Sequence, residues 1–342
     1  MKDKFNSPVK LPGGGETKRC YYPFKVDTYG RGCSNDCLYC YARSVLSFRN
    51  LWDSDKPAKA DISDIKKIFS DVFDKNKKTK FTEILQAKIP ARLGGMTDCF
   101  GDVEKIAGRT KELIKMLNEY NYPYLILTKN KLITDYIDIL RKDLGYIQFT
   151  ITTPYDEKAK IFEPHASLTS ERLSALKTLS EAGFWTAARI NPLFPIYKDG
   201  YYSKPGSVLI KDKFDYFDWS LVDMIGESKA GTLIAGFLRL STWNLRWIKE
   251  STGEDLRWMF TEQKQSNTAL HFSTEEKRYY YERIKKMCDK KGVDFSVCYD
   301  GDDAYTEFKY LWANQNDCCN GKGKVAGFNN AYDFLSPDFI KA

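Results

Sequence analysis

Histidine is almost missing from this chain of 342 residues, which holds only His165 and His271. That scarcity argues against a metal site built on imidazoles. No stretch approaches 18 consecutive apolar residues, the length at which a helix could span a bilayer. The opening MKDKFNSPVKLPGGGE has no apolar core of the kind a secretory leader carries. These absences lead to the expectation of a cytoplasmic protein with no membrane partner. No internal repeat, long low-complexity tract or firm linker is visible either. What the chain does have is sulfur. Its nine cysteines, several closely clustered, fit reduced thiols and metal ligation better than a disulfide framework.

The net charge of +7 permits contact with nucleic acid or phosphate without demanding it. Part of the excess sits in DKNKKTK, residues 74–80, which reads as a solvated loop. Aromatic residues make up 15% of the chain, so rings must also line surfaces or pockets.

From about residue 60 helical and strand patterns alternate. DISDIKKIFSDVF places Ile65, Ile68, Phe69, Val72 and Phe73 on one helical face. FTEILQAKIPARLGG reads as a strand ending in a glycine turn, and VEKIAGRTKELIKMLNEY as one amphipathic helix. Strand YPYLILTKN, helix LITDYIDILRKDL, strand YIQFTITT, helix SERLSALKTLSEAG and strand WTAARINPL follow. Helix FDWSLVDMIGES, strand GTLIAGFLRL, helix STEEKRYYYERIKKMCDKKG and strand VDFSVCY complete the series. With YPFKVDTYG as a first strand, this predicts an α/β protein with a parallel sheet of six or seven βα units. That is short of a complete eight-stranded barrel. In such folds the loops after the strands carry the chemistry.

The stretch after that first strand is GCSNDCLYCYARS, with Cys33, Cys37 and Cys40. Three thiolates on one loop can wrap three corners of a [4Fe–4S] cube and leave the fourth iron open. A zinc site with Cys20 or Cys99 as fourth ligand is the alternative, although structural zinc favours paired CxxC knuckles.

The pattern CxxxCxxC, with aromatic Tyr39 before the last cysteine, resembles the radical S-adenosylmethionine (SAM) superfamily. More narrowly it resembles the spore photoproduct lyase-related, or "DNA repair photolyase", subgroup. TDCF (Thr97 to Phe100), Thr128–Lys129, TITT followed by Glu163–Pro164, and RINPLFP (Arg189 to Pro195) extend the resemblance over residues 20–240. It implies a partial (βα)6-type barrel at 20–240, an N-terminal arm at 1–19, and an extension at 241–342 that completes or caps the barrel. It implies a [4Fe–4S] cluster on Cys33, Cys37 and Cys40, SAM chelating the open iron, and reductive cleavage of SAM to a 5′-deoxyadenosyl radical. A flavodoxin- or ferredoxin-type reductant is the implied electron source.

Site roles follow from the same resemblance. Gly94 and Gly95 stand where the backbone approaches the SAM amine, and Asp98 could accept a hydrogen bond from it. Lys129 matches a lysine that pairs with the SAM carboxylate. Thr150 and Thr152 could meet the ribose, and Arg189 or Asn191 could contact SAM from the fifth strand. Tyr39 and Tyr41 match tyrosines of the subgroup's hydrogen relay, and Cys99 could be a hydrogen donor or a buried thiol. The subgroup suggests a nucleic-acid base or nucleotide as substrate, for cleavage, repair or modification. A peptide or small metabolite is the alternative substrate, and a zinc-stabilised nucleic-acid-binding protein the alternative without catalysis.

Beyond residue 240 the resemblance thins. Trp243, Trp247, Trp258 and Phe260 interleave with Arg246, Lys249 and Arg257. That pattern suits stacking on bases, but Trp243 and Trp247 are also spaced as on a core-facing helix. Cys288, Cys298, Cys318 and Cys319 could ligate an auxiliary Fe–S cluster or zinc, or be buried thiols.

Overall fold

A computed structural model describes residue 5 and residues 8–10, 20–196, 215–260, 262–263, 269–298 and 307–331. Most of the expected N-terminal arm, and the side chain of Trp258, lie outside the described residues. Seven parallel strands, in chain order, form the central sheet among the described residues. They are β1 (Lys25–Val26), β2 (Ala91–Leu93), β3 (Tyr124–Thr128), β4 (Gly145–Thr150), β5 (Thr186–Leu193), β6 (Thr232–Phe237) and β7 (Asp294–Val297). Val9–Lys10 adds an antiparallel edge beside β1. The architecture is the α/β partial barrel the sequence predicts, and β7 is contributed by the segment after residue 240.

Two local readings differ. FTEILQ is helical at Thr82–Gln86, so β2 shrinks to three residues. The long amphipathic pattern is two helices, Asp102–Ala107 and Arg109–Glu119, broken at Gly108 with φ +63°. In the first case a one-turn helix buries Ile84 and Leu85 as well as a strand would.

The registers show how each strand divides its side chains. Lys25 lies opposite Arg92, Arg92 opposite Leu125, and Leu125 opposite Tyr146. Gln148 lies opposite Ala187, Thr150 opposite Arg189, and Ile234 opposite both Arg189 and Ser296. Partners in a parallel pair share a face, and side chains alternate along a strand. One face therefore carries Lys25, Arg92, Gln148, Thr150, Arg189 and Ser296. The other carries Val26, Leu93, Ile126, Ile147, Phe149, Ile190, Leu233 and Phe295, all in the apolar core. Burying that second face on the helices is the main driving force for the fold. The first face, where Leu125, Tyr146, Ala187 and Ile234 alternate with these polar groups, lines the interior of the barrel.

The segment 307–331 crosses the N-terminal ends of the strands. Tyr22 donates to Asp317 Oδ2 at 2.6 Å, and Trp185 Nε1 to the Asn320 carbonyl at 2.9 Å. Tyr146 donates to the Cys319 carbonyl at 2.5 Å. Asn320 Nδ2 reaches Thr232 Oγ1 at 3.0 Å. This segment is the floor of the barrel.

Candidate active site

The cysteine loop leaves β1 and closes on itself through short turns, Asp36 N to Cys33 O at 3.2 Å and Cys40 N to Cys37 O at 3.1 Å. Gly32 is required there, since a β-carbon would overlap the Asp53 carbonyl. Cys37 is buried, and Cys33 and Cys40 are half-buried. Backbone N–H groups point at two of the sulfurs, from Asp98 to Cys33 Sγ at 3.4 Å and from Arg43 to Cys40 Sγ at 3.5 Å. Cys40 also caps the helix Tyr41–Phe48. Burial pushes the Cys33 thiol up to about 12 and raises Cys37 as well, while the Lys129 ammonium opposes the rise at Cys37. Three thiols on one loop, with N–H donors aimed at them, fit a metal–sulfur group held on three sides.

Three anchors hold this loop. Asp98 accepts from Thr128 Oγ1 (2.8 Å), the Lys129 N–H (2.7 Å), Asn35 Nδ2 (3.0 Å) and the Phe100 N–H (2.9 Å). Both its oxygens are thus engaged within the protein. Tyr39 donates to Glu163, and Glu163 pairs with Arg172, whose side chain is 1% exposed. Asn244, from the helix Thr242–Thr252, donates to the Leu38 and Cys40 carbonyls at 2.9 and 3.2 Å and accepts from Ser44 Oγ at 2.9 Å. The sequence reading missed Arg172 and Asn244 as parts of the site. Serine followed three residues later by asparagine, a helix-start pattern, was the one signal for Asn244.

Gly94 has φ +79°, and a β-carbon there would overlap the Leu127 carbonyl. Gly95 offers its carbonyl to Tyr41 Oη at 2.8 Å. Tyr41 is 56% exposed and lies across the Gly95–Met96 turn, its hydroxyl 3.7 Å from Met96 Sδ. Asp27, a further residue the sequence reading passed over, accepts from Met96 N at 3.3 Å beneath that turn. Lys129 Nζ stands 5.7 Å from the Tyr39 ring centre. Cys33, Cys37, Cys40, Tyr39, Tyr41, Gly95, Asp98 and Lys129 therefore converge at the C-terminal ends of β1–β3.

The other expected residues are placed differently. Thr152 bonds Tyr216 Oη at 2.9 Å, and the Thr150 carbonyl accepts from Arg172 at 2.9 Å. Asn191 packs against Gly236, where a β-carbon would approach its Nδ2 to 2.8 Å. Cys99 is 1% exposed in the core, its thiol raised by burial and then by Asp98 and Glu104. Arg189 points into the barrel, with Nη2 2.8 Å from Cys298 Sγ and Nη1 2.8 Å from Gln148 Oε1 and 3.8 Å from Cys319 Sγ.

The second cysteine set is spread over several elements. Cys288 is buried in the helix Thr274–Lys291 beside Asp289 and Lys285. Cys20, outside that set, has its sulfur 3.6 Å from Arg92 Nη1. The Cys318 and Cys319 sulfurs lie within 4.8 Å of each other and of an Asp317 oxygen. Cys318 beside it draws Cys319 below the usual thiol range, with Arg189 acting in the same direction. Trp247, one of the candidate stacking rings, is covered by the Arg43 guanidinium at 4.1 Å, and Trp243 leans on it at 6.0 Å between ring centres.

Residues 28–199 match the family model of the radical SAM superfamily, about half of the chain. The chain belongs to this superfamily. As a radical SAM protein it is 28% identical over 192 residues to an uncharacterised protein of Methanocaldococcus jannaschii. That match covers 55% of this chain and 64% of the relative, less than two thirds of its length. Two solved structures of spore photoproduct lyase variants share its fold. One holds dinucleoside spore photoproduct, with TM-score 0.59 and 14% identity over 87% of this chain and 81% of that one. The other holds AdoMet and the same dinucleoside, with TM-score 0.58 and 16% identity over 85% and 87%. At such identities the likeness is one of fold. No helix among the described residues is long and apolar enough to cross a membrane.

Proposed function

We propose that this radical SAM protein is an enzyme that holds a [4Fe–4S] cluster and SAM and acts on a nucleic-acid base or nucleotide. The observation that carries this reading is the anchored three-cysteine loop. Cys33, Cys37 and Cys40 would be the cluster ligands, and the N–H groups of Asp98 and Arg43 would stabilise their thiolates. Once bound, the cluster and SAM supply an electron and a hydrogen-abstracting radical.

The chain's own residues bind and orient. Lys129 is placed to meet a carboxylate, a charge-assisted contact. Gly94 and Gly95 let the backbone come close to the cofactor's amine. Asp98 acts as a positioning residue, since its oxygens already order the Thr128–Lys129 turn. Thr150, Thr152 and Asn191 would line the wall beside the cofactor. Tyr39 locks the loop through Glu163, and Tyr41, held on the Gly95 carbonyl, would face the reacting centre. The base or nucleotide substrate is supported by the shared fold with a lyase seen holding a dinucleoside and by the net charge of +7.

The test is anaerobic reconstitution with iron, sulfide, SAM and dithionite. Brown protein with about four irons per chain and formation of 5′-deoxyadenosine are expected, with deuterium transferred from one labelled nucleotide or oligonucleotide. A colourless zinc protein that never cleaves SAM overturns the reading.

A further inference from the structure

The polar interior of the barrel is not explained by cofactor binding. Lys25, Arg92, Leu127, Asn191, Cys20 and Cys298 all keep partial exposure although they sit on or beside central strands. Their side chains therefore border accessible space, a hollow beside the core against which Leu127, Cys20 and Cys298 also pack. Lys25 and Arg92 are register partners on neighbouring strands, and Arg189 projects inward from β5 toward Gln148, Cys298 and Cys319.

Among the described residues, the carboxylates that border this hollow are already engaged. Three cations face inward. Asp27, the inward carboxylate above them, already accepts from Lys10 at 3.4 Å and from Met96 N. In the floor, Asp317 accepts from Tyr22 and from the N–H groups of Cys319, Gly321 and Lys322. Among the described residues neither guanidinium has a carboxylate partner. Arg92 Nη1 has Cys20 Sγ at 3.6 Å, and Arg189 has one amide oxygen and two sulfurs. Arg92 Nε and Ser296 Oγ, both buried, have no hydrogen-bond partner among the described residues. Unmatched buried cations and donors are costly and persist where a ligand completes them.

We infer that this hollow binds the phosphate monoester of a mononucleotide, gripped between Arg92 and Arg189. Forked guanidiniums match phosphate oxygens in pairs. A dianion balances two of the three inward cations, whereas a carboxylate leaves two uncompensated. Arg92 lies on β2, which runs into Gly95, whose carbonyl accepts from Tyr41 at 2.8 Å, so a ligand anchored there extends toward the cysteine loop. Enclosure by strands on several sides admits a terminal phosphate and excludes the internal diesters of a strand. This inference rests on the proposed function for its base and adds the group by which the substrate is held.

The experiment is calorimetric titration of the reconstituted protein with SAM present. The ligands are inorganic phosphate, the four common nucleoside 5′-monophosphates, the matching nucleosides, and a single-stranded oligonucleotide without terminal phosphate. At least one monophosphate should bind ten-fold or more tightly than its nucleoside, and inorganic phosphate should compete. Arg92→Gln should weaken that monophosphate at least ten-fold and Arg92→Lys less. As a measurement needing no variant, saturating monophosphate should slow alkylation of Cys20 and Cys298, read by mass spectrometry. Equal binding of nucleoside and monophosphate, equal binding of the unphosphorylated oligonucleotide, or unprotected cysteines overturns the inference. The wild type's 5′-deoxyadenosine assay reports on the proposed function separately. SAM cleavage without phosphate preference sinks only this inference, and phosphate preference without SAM cleavage sinks only the proposed function.

Discussion

Replacing Glu163 by glutamine should loosen the cysteine loop from a distance. Glu163 sits between two buried partners, the Tyr39 hydroxyl and the Arg172 guanidinium. Glu163→Gln keeps the shape but leaves Arg172 charged and unpaired in the core. Removing one partner of a buried pair costs about 3–5 kcal/mol. Arg172 keeps two carbonyl acceptors, Ser167 at 2.6 Å and Thr150 at 2.9 Å, which places the loss near the lower end. At about 2–4 °C per kcal/mol for large domains, the melting temperature should fall by roughly 6–10 °C. Anaerobic thermal melts followed by circular dichroism read this directly. Iron retained during incubation with a chelator gives a second readout, because Tyr39 lies between Cys37 and Cys40. Glu163→Gln combined with Arg172→Met should recover much of the loss, since an apolar replacement removes the stranded charge. A single variant melting within about 2 °C of wild type, with unchanged iron retention, would refute the reasoning.

The remaining expectations concern single positions. Gly94→Ala should cost more than the roughly 1–2 kcal/mol of a left-handed backbone, because its β-carbon also meets the Leu127 carbonyl. Gly95→Ala, with its nearest neighbour at 3.6 Å, should be almost neutral, and equal melting temperatures for the two variants would contradict this. Cys99→Ala should lower stability by about 1 kcal/mol and leave the product distribution unaltered, whereas an altered distribution by chromatography would restore the donor role. Asp71 is held below the usual carboxylate range by Lys67, Lys77 and Lys75. Its stabilisation is present above its unfolded pKa of about 3.8 and is lost as pH falls. The wild-type melting temperature should therefore drop more steeply than that of Asp71→Asn from pH 5 to pH 3.

The α/β alternation and the cysteine loop were legible because each rests on local pattern: period, turn residues and short spacing. The helix at Thr82–Gln86 was not, because five residues cannot separate the two periods. The partners of the loop were hidden for another reason. Glu163, Arg172 and Asn244 meet it only after the chain has closed, 124 residues on for Glu163 and 206 for Asn244. Arg189 was visible as a charge at a strand but not as a residue facing thiols.

The grip of Asn244 on the Leu38 and Cys40 carbonyls also sets a clock. The cysteine loop leaves the ribosome 204 residues before the side chain that clamps it. At about 5–20 residues per second, the thiols wait roughly 10–40 s for their last anchor. Any metal centre delivered earlier meets a loop with one hinge still open. Maturation of a metal centre on this loop would therefore wait for synthesis past Asn244, and chains truncated before residue 244 should be poor acceptors for iron.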